Sequence, residues 1–154
     1  MSGLTRQSYL SYFKCLRNKI IFLKKNGDNL NFVETDKAPS AIGPYSQAVT
    51  NSGILYTSGQ IALTSDGIFL DESIEIQTKQ VLNNLGAVLK AGGSDFDKVI
   101  KTTIYLADMD NFLTVNAIYS QFFGKHKPAR STIAVKTLPK NALVEIEAIA
   151  VIGD

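Results

Sequence analysis

ALVEIEAIAV, residues 142–151, is a strand pattern whose two faces differ in polarity. Successive side chains of a strand point to opposite faces. One face of this segment is fully apolar and consists of Val144, Ile146, Ala148 and Ala150. The other face carries Glu145 and Glu147 between apolar residues. The segment is therefore predicted to bury one face and to expose two carboxylates on the other.

The two carboxylates allow two interpretations. Charged groups are costly on a dry surface that offers no partner, so one interpretation is a side of the sheet that faces solvent. In the other, this face meets another subunit and one glutamate lies in a cleft between them. Partial desolvation there would raise the pKa of the carboxyl and suit it to general acid or base catalysis.

The chain from residue 30 onward predicts an α+β domain in which strands and helices alternate. Apolar residues at three- and four-residue steps predict a helix that starts at Asp71 or Ser73 and stops at Gly92–Gly93. The same pattern predicts a second helix from near Asp110 to Gly124. Strands are predicted at 30–35, at 47–63 as a hairpin, and at 97–107, 130–138 and 142–151. Helices separated by single strands predict a mixed sheet with both helices packed on one face.

Composition excludes several classes of protein. The chain has 154 residues, one cysteine and one histidine, which predicts a single domain without disulfides, metal centre or cysteine-based zinc site. Cys15 and His126 are therefore poor candidates for a nucleophilic triad, and His126 is interpreted as a solvated loop residue. Six of the 16 basic residues lie in residues 1–27, so 10 basic residues face 14 acidic ones beyond them. That balance does not predict a nucleic-acid binder, which needs excess Lys and Arg for phosphates.

Residues 1–30 are predicted to be an extension outside the domain of residues 31–154. The segment is basic and contains Ser and Tyr, as organelle transit peptides do, and Lys14, Arg17 and Lys19 interrupt any secretory apolar region. A mitochondrial or other organellar destination is therefore expected. The alternative is a tail without an address, on a cytoplasmic protein. No apolar run approaches the ~18 residues that would span a bilayer.

Three further segments carry candidate functional residues whose local sequence leaves their roles open. Arg130 in PARSTIAV (128–135) allows two interpretations. It is either a surface cation or salt-bridge partner of Glu145 or Glu147 on the neighbouring closing strand, or a fork for a substrate carboxylate. Tyr45 follows Gly-Pro in a rigid loop and is either a loop anchor or a site residue. Ser58 and Gly59 interrupt a strand, where glycine marks a bulge or the close approach of a ligand.

These segments together resemble one family. APSAIGPYSQAV, YTSGQIAL, KTTIYLADMDNF, TVNAIY and PARSTIAVKTLPKNALVEIEAIAV are similar to the RidA family, also called YjgF or L-PSP, over about residues 33–152. The resemblance implies a fold like chorismate mutase of the Bacillus type and a homotrimer with clefts between subunits. It also implies hydrolysis of 2-enamino and 2-imino acids, released by pyridoxal-phosphate dehydratases, to 2-keto acids and ammonia. No metal or organic cofactor and no membrane are implied.

The resemblance also implies the catalytic residues. Arg130 of PARS corresponds to the arginine that binds the substrate carboxylate. Glu145, the first glutamate of EIEA, corresponds to the residue that positions water, and Tyr45 of GPYSQ is the third catalytic candidate.

The substrate-binding candidates come from the same resemblance. Ser58 and Gly59 of SGQ and Asn116 of TVNA match residues of the family's cleft. Thr132 stands where many relatives carry cysteine, so we expect activity to survive and sensitivity to thiol reagents to be lost. Two alternatives remain, an endoribonuclease that inhibits translation and a non-catalytic module that binds small carboxylates.

Overall fold

Six strands and two helices follow one another along residues 30–153, the part of the chain that the computed structural model describes. In chain order they are β1 (Asn31–Val33), β2 (Ala48–Asn51), β3 (Ile54–Thr57), α1 (Ile74–Ala91), β4 (Val99–Leu106), α2 (Phe112–Phe123), β5 (Ala129–Ala134) and β6 (Val144–Val151). This order confirms the predicted α+β class. Cys15 and all of the predicted extension except Leu30 lie outside the described residues. Within the described part, no helix is both long and apolar enough to cross a membrane.

The strands form one mixed sheet in the order β1-β2-β3-β6-β4-β5. Only β4 and β5 run parallel, and α2 makes the crossover between them. The last strand inserts between β3 and β4 and pairs antiparallel with both. The expectation that Arg130 lies on a strand next to Glu145 and Glu147 is therefore wrong. β4 separates β5 from β6, because a parallel partner reached through a helix docks on the far side of β4.

Both helices cover the same face of the sheet, as predicted. We call this the helix face, and its residues on β4 and β6 are Thr102, Ile104, Leu106, Val144, Ile146, Ala148 and Ala150. All seven are at most 2% exposed. The first helix has Ser73 at its N-cap and Gly92 at its C-cap, within the predicted limits. Gly92 lies against the Leu55 side chain, where a Cβ would overlap it, so glycine here allows the end of α1 to approach β3.

The opposite face of the sheet, which we call the open face, is covered by no helix among residues 30–153. The register of the strands places on it Tyr56, Lys101, Thr103, Tyr105, Ser131, Ile133, Glu145, Glu147, Ile149 and Val151. Tyr56, Ile133 and Val151 are 44%, 47% and 42% exposed. The sheet therefore presents apolar side chains and the two glutamates together.

Two strands end earlier than the sequence predicts. The segment 47–63 leaves regular pairing after Thr57 and rejoins β6 at the bridge between Gln60 and Ile146. From Tyr56, which pairs with Ile149, the chain advances four residues to Gln60 while β6 advances three. One residue is extra, so Ser58–Gly59 form a bulge beside β6. The strand predicted at 130–138 ends at Ala134.

Candidate active site

A cavity of about 450 Å³ lies at the bulge between β3 and β6. Its lining includes Ile42, Tyr45, Ser58, Gly59, Lys140 and Glu145, and we call it the Glu145 cavity. Four of these are candidates named from the sequence. Residues that are far apart in the chain meet here because the hairpin β2–β3 and the strand β6 are neighbours in the sheet.

The glycine of the bulge makes room for the carboxyl group of Glu145. A Cβ at Gly59 would overlap Glu145 Oε1 and lie 2.8 Å from the carboxyl carbon. Any larger residue must displace the carboxylate or the bulge. Gly59 is therefore explained by close approach to a functional side chain, one of the two interpretations that its sequence allows.

Burial changes the acidity of Glu145. The side chain is half-buried, and loss of water raises the pKa of its carboxyl above the ordinary value, with a smaller increase from the negative charge of Glu147. Both effects disfavour the charged form. A carboxyl group of this kind exchanges a proton closer to neutral pH than an exposed glutamate does.

Tyr45 lines the Glu145 cavity and lies on a loop that several hydrogen bonds hold in place. Its hydroxyl accepts a hydrogen bond from the backbone N–H of Ile42 at 3.2 Å, and the side chain is 53% exposed. Tyr45 is thus both a loop anchor and a wall of the cavity. The two interpretations of this residue are compatible.

The loop is held by Gln47, which sequence reasoning missed. This side chain is 4% exposed, accepts from the backbone N–H of Thr35 at 2.6 Å and donates to the carbonyls of Thr35, Ala38 and Pro39 at 3.0, 3.3 and 2.8 Å. A buried amide is stable only when its polar atoms are paired, as they are here. The one signal in the sequence was its place within the GPYSQ motif.

Ser58 is anchored to the same loop. Its backbone N–H donates to the carbonyl of Gln47 at 2.9 Å, and its hydroxyl donates to the carbonyl of Ser46 at 2.6 Å. Because the hydroxyl proton is used, the oxygen presents lone pairs to the cavity. Ser58 can therefore accept a hydrogen bond from a ligand.

A second group of candidates surrounds Arg130 on the helix side of β5. Arg130 Nη1 donates to Asn116 Oδ1 at 2.9 Å, and the guanidinium carbon lies 5.0 Å from the ring centre of Tyr119 and 5.6 Å from that of Phe112. Such stacking orients the planar cation while its outer N–H groups stay exposed. The two aromatic rings were not recognised as site residues from the sequence, because their spacing on α2 is that of core residues.

These side chains border a cavity of about 410 Å³, the Arg130 cavity, with Asn116, Ser120, His126, Lys127 and Arg130 in its lining. His126 is a loop residue, as predicted, but it is not fully solvated. The residue is half-buried, and its Nε2 lies 2.6 Å from the carbonyl oxygen of Val99. It closes the turn after α2 by binding β4. Among residues 30–153 no group of three acidic, histidine or cysteine residues is arranged to hold a metal ion.

Thr132 lies two residues beyond Arg130 on the same face of β5, opposite Ile104 of β4. Its hydroxyl oxygen is buried and has no hydrogen-bond partner among the described residues. An unpaired buried hydroxyl costs free energy unless a ligand or another chain supplies the partner.

The predicted site residues thus form two groups within one chain. Tyr45, Ser58, Gly59 and Glu145 meet at the Glu145 cavity, whereas Asn116, Arg130 and Thr132 lie together near the Arg130 cavity. Arg130 pairs with Thr102 on the helix face, and Glu145 points to the open face. A single chain therefore does not bring Arg130 and Glu145 to one substrate.

A family model, known proteins and solved structures each match most of this chain. The family model described as Endoribonuclease L-PSP matches residues 35–152. Reactive Intermediate Deaminase A, chloroplastic, of Arabidopsis thaliana is 52% identical over 119 residues, which are 77% of this chain and 64% of that protein. The 2-iminobutanoate/2-iminopropanoate deaminase of Homo sapiens is 48% identical over 79% of this chain and 89% of its own length. The crystal structure of E. coli TdcF with bound serine superposes with a TM-score of 0.76 at 38% identity, covering 80% of this chain and 99% of that one.

Proposed function

The chain belongs to the L-PSP family, the RidA or YjgF family that its motifs resemble, and on that basis we propose that it hydrolyses 2-imino acids, and the 2-enamino acids that tautomerise to them, to 2-keto acids and ammonia. The observation that carries this proposal is the half-buried Glu145 seated against Gly59, with Ser58 and Tyr45 in the same cavity. Two relatives named 2-iminobutanoate/2-iminopropanoate deaminase, which are 48% and 51% identical in sequence to this chain, support the substrate class.

Arg130 is proposed to bind the carboxylate of the substrate. Asn116 and two aromatic rings fix the guanidinium, and two parallel N–H groups can then pair with both carboxylate oxygens. Such pairing holds the neighbouring C=N carbon at a fixed distance from other groups. The unpaired hydroxyl of Thr132, on the same face, is proposed to add a hydrogen bond to the bound substrate. Serine, the ligand named with the TdcF relative, has the same α-carboxylate.

Glu145 is proposed to move the protons of the reaction. As a carboxylate it takes a proton from water while the water oxygen adds to the C=N carbon and the π electrons pass to nitrogen. The protonated carboxyl then returns that proton to the nitrogen and so gives the neutral carbinolamine. The carboxylate next takes the proton of the carbinolamine hydroxyl and delivers it to the amino nitrogen, so that the C–N bond breaks as the C=O bond forms and ammonia leaves. Nothing is oxidised or reduced, and the raised pKa of Glu145 suits a group that must take and return a proton.

We further propose that the complete site forms between copies of the chain, in the expected homotrimer. Arg130 and Glu145 of one chain lie on opposite faces of the sheet, so a second copy must supply one of them. The open face offers exposed Tyr56, Ile133 and Val151 for such contacts. A face of this composition is typical of surfaces that are covered in an oligomer.

The direct test of the proposed function uses a running threonine dehydratase, which releases a 2-imino acid. We expect added protein to accelerate formation of 2-oxobutanoate and ammonia after the dehydratase step, because water attack is then catalysed rather than spontaneous. Stopped-flow measurement of imine decay, with heat-denatured protein as the control, checks this. An unchanged decay rate with folded protein would refute the activity, and saturable ligand binding without turnover would identify a carboxylate-binding module instead.

Mixed oligomers test the placement of the site between copies. We expect Arg130→Ala and Glu145→Gln to be nearly inactive as separate proteins. Mixing them under conditions that exchange subunits should restore some activity. Some interfaces then combine the intact Arg130 of one chain with the intact Glu145 of its neighbour. Ammonia release is measured before and after exchange, with each variant mixed with itself as control. No recovery in proven hetero-oligomers would contradict a site shared between copies.

The second candidate function is cleavage of RNA, which the family description Endoribonuclease favours. The excess of acidic residues beyond residue 27 opposes phosphate binding. RNA cleavage that copurifies with the protein and persists in Arg130→Ala would support this alternative.

An organellar destination is also proposed. The basic, acid-free residues 1–27 match the composition of transit peptides, and a relative is named as chloroplastic.

A further inference from the structure

Two carboxylates lie next to each other on the open face of β6. Glu145 and Glu147 are separated by one residue and are both half-buried. Their partners on β4 are Tyr105, opposite Glu145, and Thr103, opposite Glu147. The hydroxyl of Tyr105 donates to Glu147 Oε1 at 3.2 Å. The tyrosine thus reaches diagonally from the position of one glutamate to the other.

Each carboxylate has a contact of its own. Glu145 fills the space in front of Gly59, so its carboxyl is held at the bulge. Glu147 is held from the other side by Tyr105. The negative charge of Glu147 disfavours ionisation of Glu145, and burial strengthens the effect because water screens the two groups less.

Other ionisable groups on this face do not offset that effect fully. They are Tyr105 and Lys101 of β4, Tyr56 of β3, Lys140 of the turn before β6 and Tyr45 of the loop before β2. Burial raises the pKa of Tyr105, so this hydroxyl does not add a charge at neutral pH. Lys101 Nζ donates to Ser131 Oγ at 3.2 Å, toward β5 and away from β3. Lys140 lines the Glu145 cavity but is exposed, so solvent screens its charge.

We propose that Glu147, held by Tyr105, is a positioning residue that sets the protonation of Glu145 for the imine hydrolysis proposed above. The inference therefore rests on that function for its catalytic meaning. Burial and the charge of Glu147 both raise the pKa of Glu145, and the pKa of Tyr105 is raised by burial and by the same glutamate. The pair Tyr105–Glu147 would thus make Glu145 easier to protonate and better able to donate to the leaving nitrogen.

The direction in which the pKa of Glu145 changes follows from the charge that is removed. Replacing Glu147 by glutamine removes a negative neighbour and keeps an oxygen that Tyr105 can bond. The charged form of Glu145 becomes more favourable, so its pKa falls. We expect the titration midpoint of Glu145 to move only part of the way back to the ordinary value, because burial, the larger cause of its raised pKa, remains.

The test titrates Glu145 directly, so that it does not depend on turnover. The full-length protein is labelled with glutamate that carries ¹³C at the side-chain carboxyl, and the Glu145 resonance is assigned by its loss in Glu145→Gln. Its midpoint should shift to lower pH in Glu147→Gln and shift less, in the same direction, in Tyr105→Phe, which frees Glu147 without removing its charge. Asp97→Asn is the matched control, because it removes one exposed carboxylate from a distant turn.

If Glu147→Gln folds and the titration midpoint of Glu145 is unchanged in it, the inference is wrong. If Glu147→Gln does not fold, an unchanged midpoint in Tyr105→Phe refutes the inference instead. The acidic limb of kcat/KM should move with the midpoint, whereas a purely structural role would lower the rate equally at all pH values. Absence of any imine hydrolysis by the unmodified protein would refute the proposed function, while the titration would still decide whether Glu147 controls Glu145.

Discussion

Arg130→Ala is expected to lower kcat/KM for imine hydrolysis by about two to three orders of magnitude while leaving the fold intact. A bidentate pair with a carboxylate contributes two charge-assisted hydrogen bonds, each stronger than a neutral one. Its loss removes both binding and the alignment of the C=N carbon. The guanidinium is exposed and lies on the edge strand β5, so its lost contacts with Asn116 and two aromatic rings are surface contacts that leave the core intact. Initial rates of ammonia release over a range of imine concentrations measure the effect.

Two further variants separate the shape of Arg130 from its charge. Arg130→Lys keeps the charge but loses the planar fork, and we expect it to retain intermediate activity. Lys90→Ala removes one exposed cation from the last turn of α1 and should leave kcat/KM unchanged. Equal losses in the lysine and alanine variants would show that fork geometry matters more than charge. Activity of Arg130→Ala close to that of the unmodified protein would exclude Arg130 as the carboxylate anchor.

Gly59→Ala is expected to cause the second large effect, a loss of activity of about 100-fold together with a loss of stability of about 1–3 kcal/mol. The added methyl group would overlap the carboxyl of Glu145, so the carboxylate must rotate out of the bulge or the bulge must shift. In either case Glu145 no longer points to the position from which water attacks. Chemical denaturation measures the free energy of unfolding, and ammonia release measures the activity.

A double-mutant cycle identifies the cause of the Gly59→Ala effect. In a Glu145→Ala background the carboxyl is gone, and the same glycine substitution should cost much less stability. Gly67→Ala serves as a control for lost stability without overlap, since Gly67 has φ +84° and a Cβ added there would meet no atom within 4 Å. That control should lose stability but keep its activity. If the cost of Gly59→Ala is the same in both backgrounds, overlap with Glu145 is not its cause.

The elements of the fold were predictable because they depend on local patterns. The parity of residues 144–151 correctly assigned one face to the core, where Val144 and Ile146 are fully buried. Helical spacing, the pair Gly92–Gly93 and the single Gly124 located α1 and α2 within a few residues. The strand that breaks at Ser58–Gly59 was only partly predicted, since a bulge depends on the register with β6 rather than on the residues within the hairpin.

The supporting residues of the site were less predictable. Gln47 and Tyr119 look like ordinary strand and helix residues in the sequence. Their importance comes from contacts with groups far along the chain: Gln47 bonds the loop that carries Tyr45, and Tyr119 lies under Arg130. Local periodicity contains no information about such partners.

The sequence by itself determined the α+β class, the apolar face of β6 and, through the resemblance of its motifs, the residues that matter. Only the tertiary structure decided which of those residues share a face of the sheet. Periodicity fixes which side chains of one strand share a face, but the relative facing of two strands depends on their order and register in the sheet. Through β4, Arg130 is in register with Thr102 and Ala148 on the helix face, whereas Glu145 is in register with Tyr105 on the open face. This division implies that two chains are needed to complete the proposed site.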